Sequence, residues 1–355
     1  MKFSIGYRQA EDGSFMETVR EFRKDIAEAY FPWVGQASGR SPIGADGRSR
    51  SSARKMLERD LGEIRDMGIR LNILFNANCY GAEGMSRKLE KDIVSTVSHA
   101  IRIAGVDSAT TTSPAIAHIL KKHFPELETR SSVNMKIGTI EGMAYLAHLF
   151  DGYYVQREHN RDIGYLRELK KWADANGKKL YLLANSGCLH NCSGQIFHDN
   201  LVAHEKEVSR KENMNDFMPY TCWNFLREAR NWSSILKASW IRPEDLHNYE
   251  GLFETVKLAT RIHEKPYMVV NAYASGKFRG NLADLFEPTF SAALAPNVID
   301  NTKFPSDWFE RTSTCRRNCE ECGYCAEVMK KVLVNTEKYV GINPDNRRVE
   351  TRPTQ

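Results

Sequence analysis

A short β-rich run followed by a helical run recurs about eight times along the first three hundred residues, and this alternation limits the fold more than any single motif. Strand-like runs cover residues 3–7, 69–76, 106–112, 128–134, 152–157, 179–185, 238–241 and 267–271. After the first, Phe15, Val19, Phe22 and Ile26 recur at helical spacing. Further helices are expected over 53–67, 89–104, 139–150, 163–176 and 252–263, and Ser113-Pro114 opens one in cap-then-proline order. Strands that alternate with helices pair in parallel through right-handed crossovers. Units of this size and number suit a closed barrel better than an open doubly wound sheet. The expected fold is therefore α/β, a (β/α)8 TIM-type barrel over 1–301, with a small cysteine-rich C-terminal extension over 302–355. Within the extension, 326–339 reads as a helix and 344–355 as a loose end. The glycine- and serine-rich stretch 35–52 reads as a long loop, a candidate lid.

Composition narrows the setting. No apolar run approaches the length of a membrane-spanning helix, and MKFSIGYRQAEDGSF lacks the apolar centre of a signal peptide. A cytoplasmic protein is expected, whose thiols stay reduced, so the eight cysteines do not read as a disulfide framework. A net charge of +5 permits an anionic substrate, including RNA, without requiring one.

The cysteines form two groups. Cys315, Cys319, Cys322 and Cys325 lie within eleven residues of a charged segment, TCRRNCEECGYCAEV, which is a poor core but a good set of soft-metal ligands. Zinc held by four thiolates prefers two close pairs set apart by a longer loop. The compressed spacing fits a [4Fe–4S] cubane better, with zinc in the C-terminal site as the alternative. The substring C-x3-C-x2-C also matches the cluster motif of radical S-adenosylmethionine enzymes. That motif is expected after the first strand with three cysteines, whereas this run lies beyond the barrel and supplies a fourth. The other four, Cys79, Cys188, Cys192 and Cys222, lie at or near the ends of strand-like runs and could converge on one barrel rim as a second metal site.

Barrel enzymes carry their chemistry on the loops that follow the strands. On those loops Asn76, Arg130, Arg157, Arg242 and Asn271 are candidates to orient an anionic or amide-bearing substrate, and Glu158 or His198 to move protons. His159 is second to His198, while His118, His123 and His148 fall within helices. No GxSxG, HExxH, P-loop or strand-following GxGxxG appears, which removes support for serine-hydrolase, zincin and dinucleotide-binding readings.

The succession TTSPAIAHILKKHFPELETRSSVN, YVQREHNRDIGYLRELKKWA, LLANSGCLHNCSGQIFHDN and SWIRPEDLHNYEG resembles the peptidase U32 (collagenase-like) family over about residues 65–275. The resemblance implies a barrel whose strand-end cysteines hold a [4Fe–4S] cluster. Cys188 and Cys192 match the family's cysteine-bearing loop, Cys79 resembles an early-strand ligand, and Cys222 is the natural fourth. It also implies oxygen-independent hydroxylation of RNA bases or of a quinone precursor rather than proteolysis. The substrate class is thus a small molecule, RNA or peptide, with an electron-donor protein as a possible partner. A metal-dependent peptidase and a non-catalytic protein with structural zinc are the alternatives. The short spacing of the Cys188–Cys192 pair and the added CxxxCxxCxxC tail set this chain apart from familiar members.

Overall fold

The computed structural model describes residues 1–10, 12–40, 43, 49–340 and 350–351. Eight parallel strands close a barrel in chain order. They are β1 (Lys2–Gly6), β2 (Ile26–Pro32), β3 (Arg70–Phe75), β4 (Ser108–Thr111), β5 (Glu128–Ser131), β6 (Gly152–Tyr154), β7 (Lys179–Leu183) and β8 (Thr255–Leu258), with β8 pairing back onto β1. Helices α1 (Ser14–Glu21), α2 (Arg50–Asp66), α3 (Arg87–Ala104), α4 (Pro114–His123), α5 (Ile140–Tyr145) and α6 (Ile163–Ala175) connect them in turn. The longest connection, between β7 and β8, holds α7 (Gln195–Ala203) and the thiol-bearing loops. Helix Pro266–Ser275 follows β8. The expected (β/α)8 barrel is the fold.

Local chemistry sets several boundaries. Ser49, Ser86, Ser113 and Thr139 each accept a hydrogen bond from a backbone amide of the helix they precede. Gly105 ends α3 at φ 64°, where a side chain would be strained.

Two strands depart from expectation. Helix α1 stops at Glu21, and Ile26, expected on that helix, opens β2. Residues 252–263, expected as a helix, contain β8; 267–271, expected as a strand, lies inside helix Pro266–Ser275. Residues 238–241 form no strand, although the Ile241 amide donates to the Ala184 carbonyl at 2.8 Å, just past β7. The total of eight stands; the membership changes. The cause is what β2 and β8 carry inward. Glu28 and Lys257 interrupt the apolar signal that marks an ordinary barrel strand.

The apolar core sits between strands and helices, whereas the barrel interior is polar. Glu28 and Arg130, each 1% exposed, pair there at 2.6 Å. Ser4 and Asn72 donate to the Glu28 carboxylate at 2.7 and 3.1 Å, and Thr110 donates to Asn72 at 3.0 Å. The Arg130 Nε donates to Glu128 at 2.8 Å, and its guanidinium lies 4.1 Å from the Tyr181 ring centre. Burial pushes the Glu28 carboxyl up, but the Arg130 charge and these hydrogen bonds outweigh it and hold the group below its ordinary value.

The C-terminal segment shares the barrel's core. Trp308, Val328, Met329 and Val332 belong to the same buried cluster as the helices. The helix expected over 326–339 runs over Tyr324–Val332, and β10 (Leu333–Asn335) then pairs antiparallel with β9 (Asn297–Ile299). A ladder of near-parallel rings, Phe286–Trp240–Trp308–Tyr324, crosses from barrel to tail at centroid spacings of 4.9, 5.7 and 6.1 Å. The candidate lid at 35–52 lies partly outside the described residues, as does most of the expected loose end at 344–355. Among the described residues no helix is long and apolar enough to cross a membrane.

Candidate active site at the barrel mouth

The C-terminal ends of the strands open on a small cavity of about 60 Å3, lined by Tyr30, Gly39, Arg40, Asn76, Asn134, Arg157, Lys257, Arg261 and Glu287 among others. Three guanidiniums and the Lys257 amine face one carboxylate, so the space suits an anion. Arg40 is held by Glu287 at 2.8 Å. Arg261 donates through Nη1 to Ser38 at 2.8 Å, while its buried Nη2 and the buried Glu287 Oε2 have no partner among the described residues. Asn76 accepts from the Gly39 amide at 3.1 Å, and a Cβ at Gly39 would meet the Asn76 carbonyl at 2.8 Å. That close approach requires glycine.

Arg157, 6% exposed, joins this cavity to the thiols. Its Nη1 donates to Cys188 Sγ at 3.2 Å and its Nη2 to Asn134 at 3.4 Å. The loop bearing Cys188 passes tightly under its neighbour: the Gly187 amide donates to the Glu287 carbonyl at 3.1 Å, and a Cβ there would sit 2.0 Å from the Pro288 carbonyl oxygen. Only glycine fits. Burial first, then the neighbouring Cys188 and Cys192 thiols, pushes the Cys222 thiol up to about 11. Cys79 instead faces His204 and the Gly81 amide, which hold its thiol below the ordinary value.

In the tail, Cys325 is half-buried, and burial first, then Cys319 and Cys315 against the Arg161 charge, raises its thiol's pKa. The Arg317 amide donates to Cys315 Sγ at 3.3 Å. Asn191 (φ 51°) and Arg317 (φ 61°) both adopt the left-handed conformation, one in each cysteine loop, which is uncommon for such residues. Arg317 also docks the two loops together: its guanidinium lies 3.1 Å from His190 Nδ1 and donates to the Glu158 carbonyl at 2.7 Å. Arg317→Ala is expected to cost about 1 kcal/mol and to speed amide exchange around residues 315–322 while leaving β1–β8 protected. Unchanged exchange in the tail would show that this contact does not hold it.

Among the described residues, no group of three or more His, Cys, Asp or Glu is drawn together as the ligands of a single ion would be. A cubane makes a different demand, because each thiolate binds its own iron and the sulfurs stand farther apart. The half-buried thiols Cys79, Cys188, Cys192 and Cys222, with an amide donor to Cys79 and the Arg157 guanidinium donating to Cys188, fit that demand, while in the tail Cys315, Cys319 and Cys322 are exposed.

The other predicted residues divide. Asn76 and Arg157 line the mouth. His198 lies beside it, packed 5.0 Å from the Tyr220 ring, and burial, then the Arg40 charge, lowers its pKa. For Glu158 burial acts upward, but its own backbone amide, Arg157 and Gln156 hold the half-buried carboxyl below its ordinary value, so it stays ionised at neutral pH. Arg130 lies in the barrel interior, committed to Glu28 and Glu128. Arg242 is committed to Asn301 and the Phe304 ring. Asn271 sits within helix Pro266–Ser275, away from any strand end, because its expected strand does not exist.

Sequence reasoning missed Arg40, Lys257, Arg261 and Glu287. Three follow unrecognised ground: Arg40 lies in the glycine-rich loop, and Lys257 and Arg261 lie on and after β8. Lys257 Nζ stands 3.9 Å from the Tyr30 ring centre and 4.9 Å from that of Tyr154. Burial lowers its pKa to about 7, and Arg261 and Arg130 add to the effect against Glu28 and Glu287. The ring faces favour the ammonium by on the order of 1 kcal/mol, less than one pKa unit is worth, so burial prevails.

No family profile matches the chain. Over 284 residues it is 23% identical to a Methanocaldococcus jannaschii protein named uncharacterized protease MJ1657, covering 78% of this chain and 81% of that one. It is similar in fold to the solved U32 peptidase Mk0906, with a TM-score of 0.52 and 16% identity over 72% of this chain and 92% of the other. At this identity the likeness to Mk0906 shows a shared barrel fold. Within this barrel, the Cys188 loop and the arginine-lined mouth belong to the same rim.

Proposed function

We propose that this U32-type chain is an iron–sulfur enzyme that carries out oxygen-independent hydroxylation, or a related redox modification, of an anionic substrate held at the barrel mouth. The observation that carries the reading is Arg157, which lines the cavity and donates to Cys188 Sγ at 3.2 Å. A substrate bound on Arg157 is therefore next to a thiol loop. Cys188, Cys192 and Cys222, with Cys79 as fourth, would hold one [4Fe–4S] cluster, and Cys315, Cys319, Cys322 and Cys325 a second. A bound cluster would supply one-electron exchange over a widely tunable potential range.

The protein's own groups have defined parts. Arg157 and Arg261 bind the substrate's negative charge, and Asn76 and Asn134 orient it. His198, with its pKa lowered by burial, is mostly neutral near pH 7 and can hold a proton; ionised Glu158 cannot donate one. The tail docks through Arg317 beside His190, and its exposed thiols would take electrons from a redox partner protein.

Anaerobic purification followed by iron, sulfide and zinc assays and a visible spectrum tests this. About eight irons per chain and a brown protein are expected, with Cys188→Ser and Cys319→Ser each losing about four independently. An iron-free, zinc-loaded protein, or reductant-independent cleavage of unfolded peptides, would overturn the reading.

A further inference from the structure

Lys257 has no part in the scheme above, yet it lines the mouth. It is the penultimate residue of β8, and its Nζ lies between the Tyr30 and Tyr154 rings. No carboxylate forms an ion pair with it among the described residues. Glu28 is taken by Arg130, and Glu287 by Arg40. Beside it, the 8% exposed Arg261 keeps its buried Nη2 unpartnered. The cavity of about 60 Å3 has room for only a handful of non-hydrogen atoms. A small anion, or the anionic end of a larger molecule, would satisfy Arg261 Nη2 and bring its neighbouring atoms against the amine.

We propose that Lys257 is the proton-accepting catalytic residue of the mouth, acting on a small anionic substrate anchored by Arg157 and Arg261. The inference rests on the mouth being the substrate site and adds a base that lines the cavity itself, which His198 does not. The charged and titratable groups around the amine are Glu28 and Tyr30 on β2, Arg130 on β5, Tyr154 on β6, Arg261 just past β8 and Glu287. The two carboxylates favour the ammonium and the two guanidiniums oppose it, while both phenols are held neutral by burial. With burial dominant, the amine is largely free of its extra proton just above pH 7 and can accept one from a substrate. A lysine stacked on tyrosines only to close the barrel would share the titration lowered by burial but would show no anion-guided reactivity.

Glyoxylate, an aldehyde with a carboxylate, is a probe small enough for the space. The neutral amine would add to its aldehyde carbon, forming an N–C bond as the carbonyl oxygen leaves as water. Cyanoborohydride then donates hydride to the imine carbon and leaves carboxymethyl-lysine. Trapping on the full-length protein from pH 6 to 10, read by peptide mass spectrometry, should mark Lys257 with a midpoint near 7. At pH 7 it should exceed exposed lysines on the order of a hundredfold. Acetate should compete. Arg261→Gln should move the midpoint upward and weaken trapping, whereas Glu287→Gln should move it downward. Lys257→Arg, checked for an unchanged melting temperature, should give no adduct at that position.

A midpoint at the ordinary lysine value, or no adduct at Lys257 in the folded protein, would overturn the proposal. The two readings fail separately. Iron content should be the same in Lys257→Arg as in the parent, so an iron-loaded protein with an ordinary Lys257 refutes the base alone. An iron-free protein with a reactive Lys257 refutes the redox reading alone.

Discussion

Arg130→Met is expected to destabilise the protein by about 3–5 kcal/mol at pH 7, the largest effect of any single change outside the apolar core. Arg130 and Glu28 are each 1% exposed, so removing one charge leaves the other buried without compensation. The neighbours cannot replace it: Ser4 and Asn72 supply neutral hydrogen bonds to Glu28, and Lys257, the nearest other cation on the inner wall, lies over Tyr30. Glu28 must then take up a proton or draw in water. The cost should therefore shrink as pH falls. In the parent, the Glu28 pKa is held below its ordinary value, so its stabilising contribution is present above the unfolded-state pKa and is lost as pH falls through the folded value. In the variant the carboxyl is raised instead and protonates earlier. Urea midpoints for the parent, Arg130→Met and the Arg130→Met/Glu28→Gln double variant, at pH 7 and pH 5, check this. The double variant should recover much of the loss, since replacing both charges leaves none uncompensated. A loss under 1 kcal/mol at pH 7, an order set by exposed ion pairs, would show that the pair is not buried in solution.

Trp308→Ala should cost about 3–5 kcal/mol as well, although Trp308 lies in the segment that sequence composition set apart as an extension. Its ring is 1% exposed and stacks between Trp240 and Tyr324 at 5.7 and 6.1 Å, with Phe304 edge-on at 5.0 Å. Arg161 lies 5.5 Å from its centre, so truncation also uncovers a buried guanidinium. If barrel and tail are one cooperative unit, the parent shows one transition by tryptophan fluorescence and by far-ultraviolet circular dichroism, and the variant shows one transition at lower denaturant. Two separated transitions in the parent would mean that the tail unfolds on its own. The same variant bears on the thiols, because Tyr324 precedes Cys325. Loosening the ladder should expose Cys325 to thiol reagents faster, while Cys188 keeps its parent rate.

The candidate site was legible in part, for a reason visible in particular residues. Cysteines announce themselves by type and spacing, so Cys188, Cys192 and the tail run could be read without a fold. Arg157 and Asn76 were found because they follow strongly apolar strands whose ends are plain. Lys257 and Arg261 were not, because Thr-Val-Lys-Leu is too short and too charged to signal a strand, and without β8 nothing marked its end as a rim. Arg130 misled in the opposite direction. It lies on the correctly located β5, but the side to which it points depends on Glu28, 102 positions earlier in the chain.

By itself the sequence determined the alternation of strand and helix, hence the barrel, along with the Ser113 helix cap and the existence of two thiol groups. Each depends on side-chain periodicity or spacing within about ten to twenty residues. Only the tertiary structure decided the membership of β2 and β8 and the charged lining of the interior. It also decided the docking of the tail through Arg317 and the placement at the mouth of Lys257, which has no ion pair among the described residues. Those depend on which distant residues share a low-dielectric space: a buried charge is tolerated only where its partner arrives, and that partner comes from another strand.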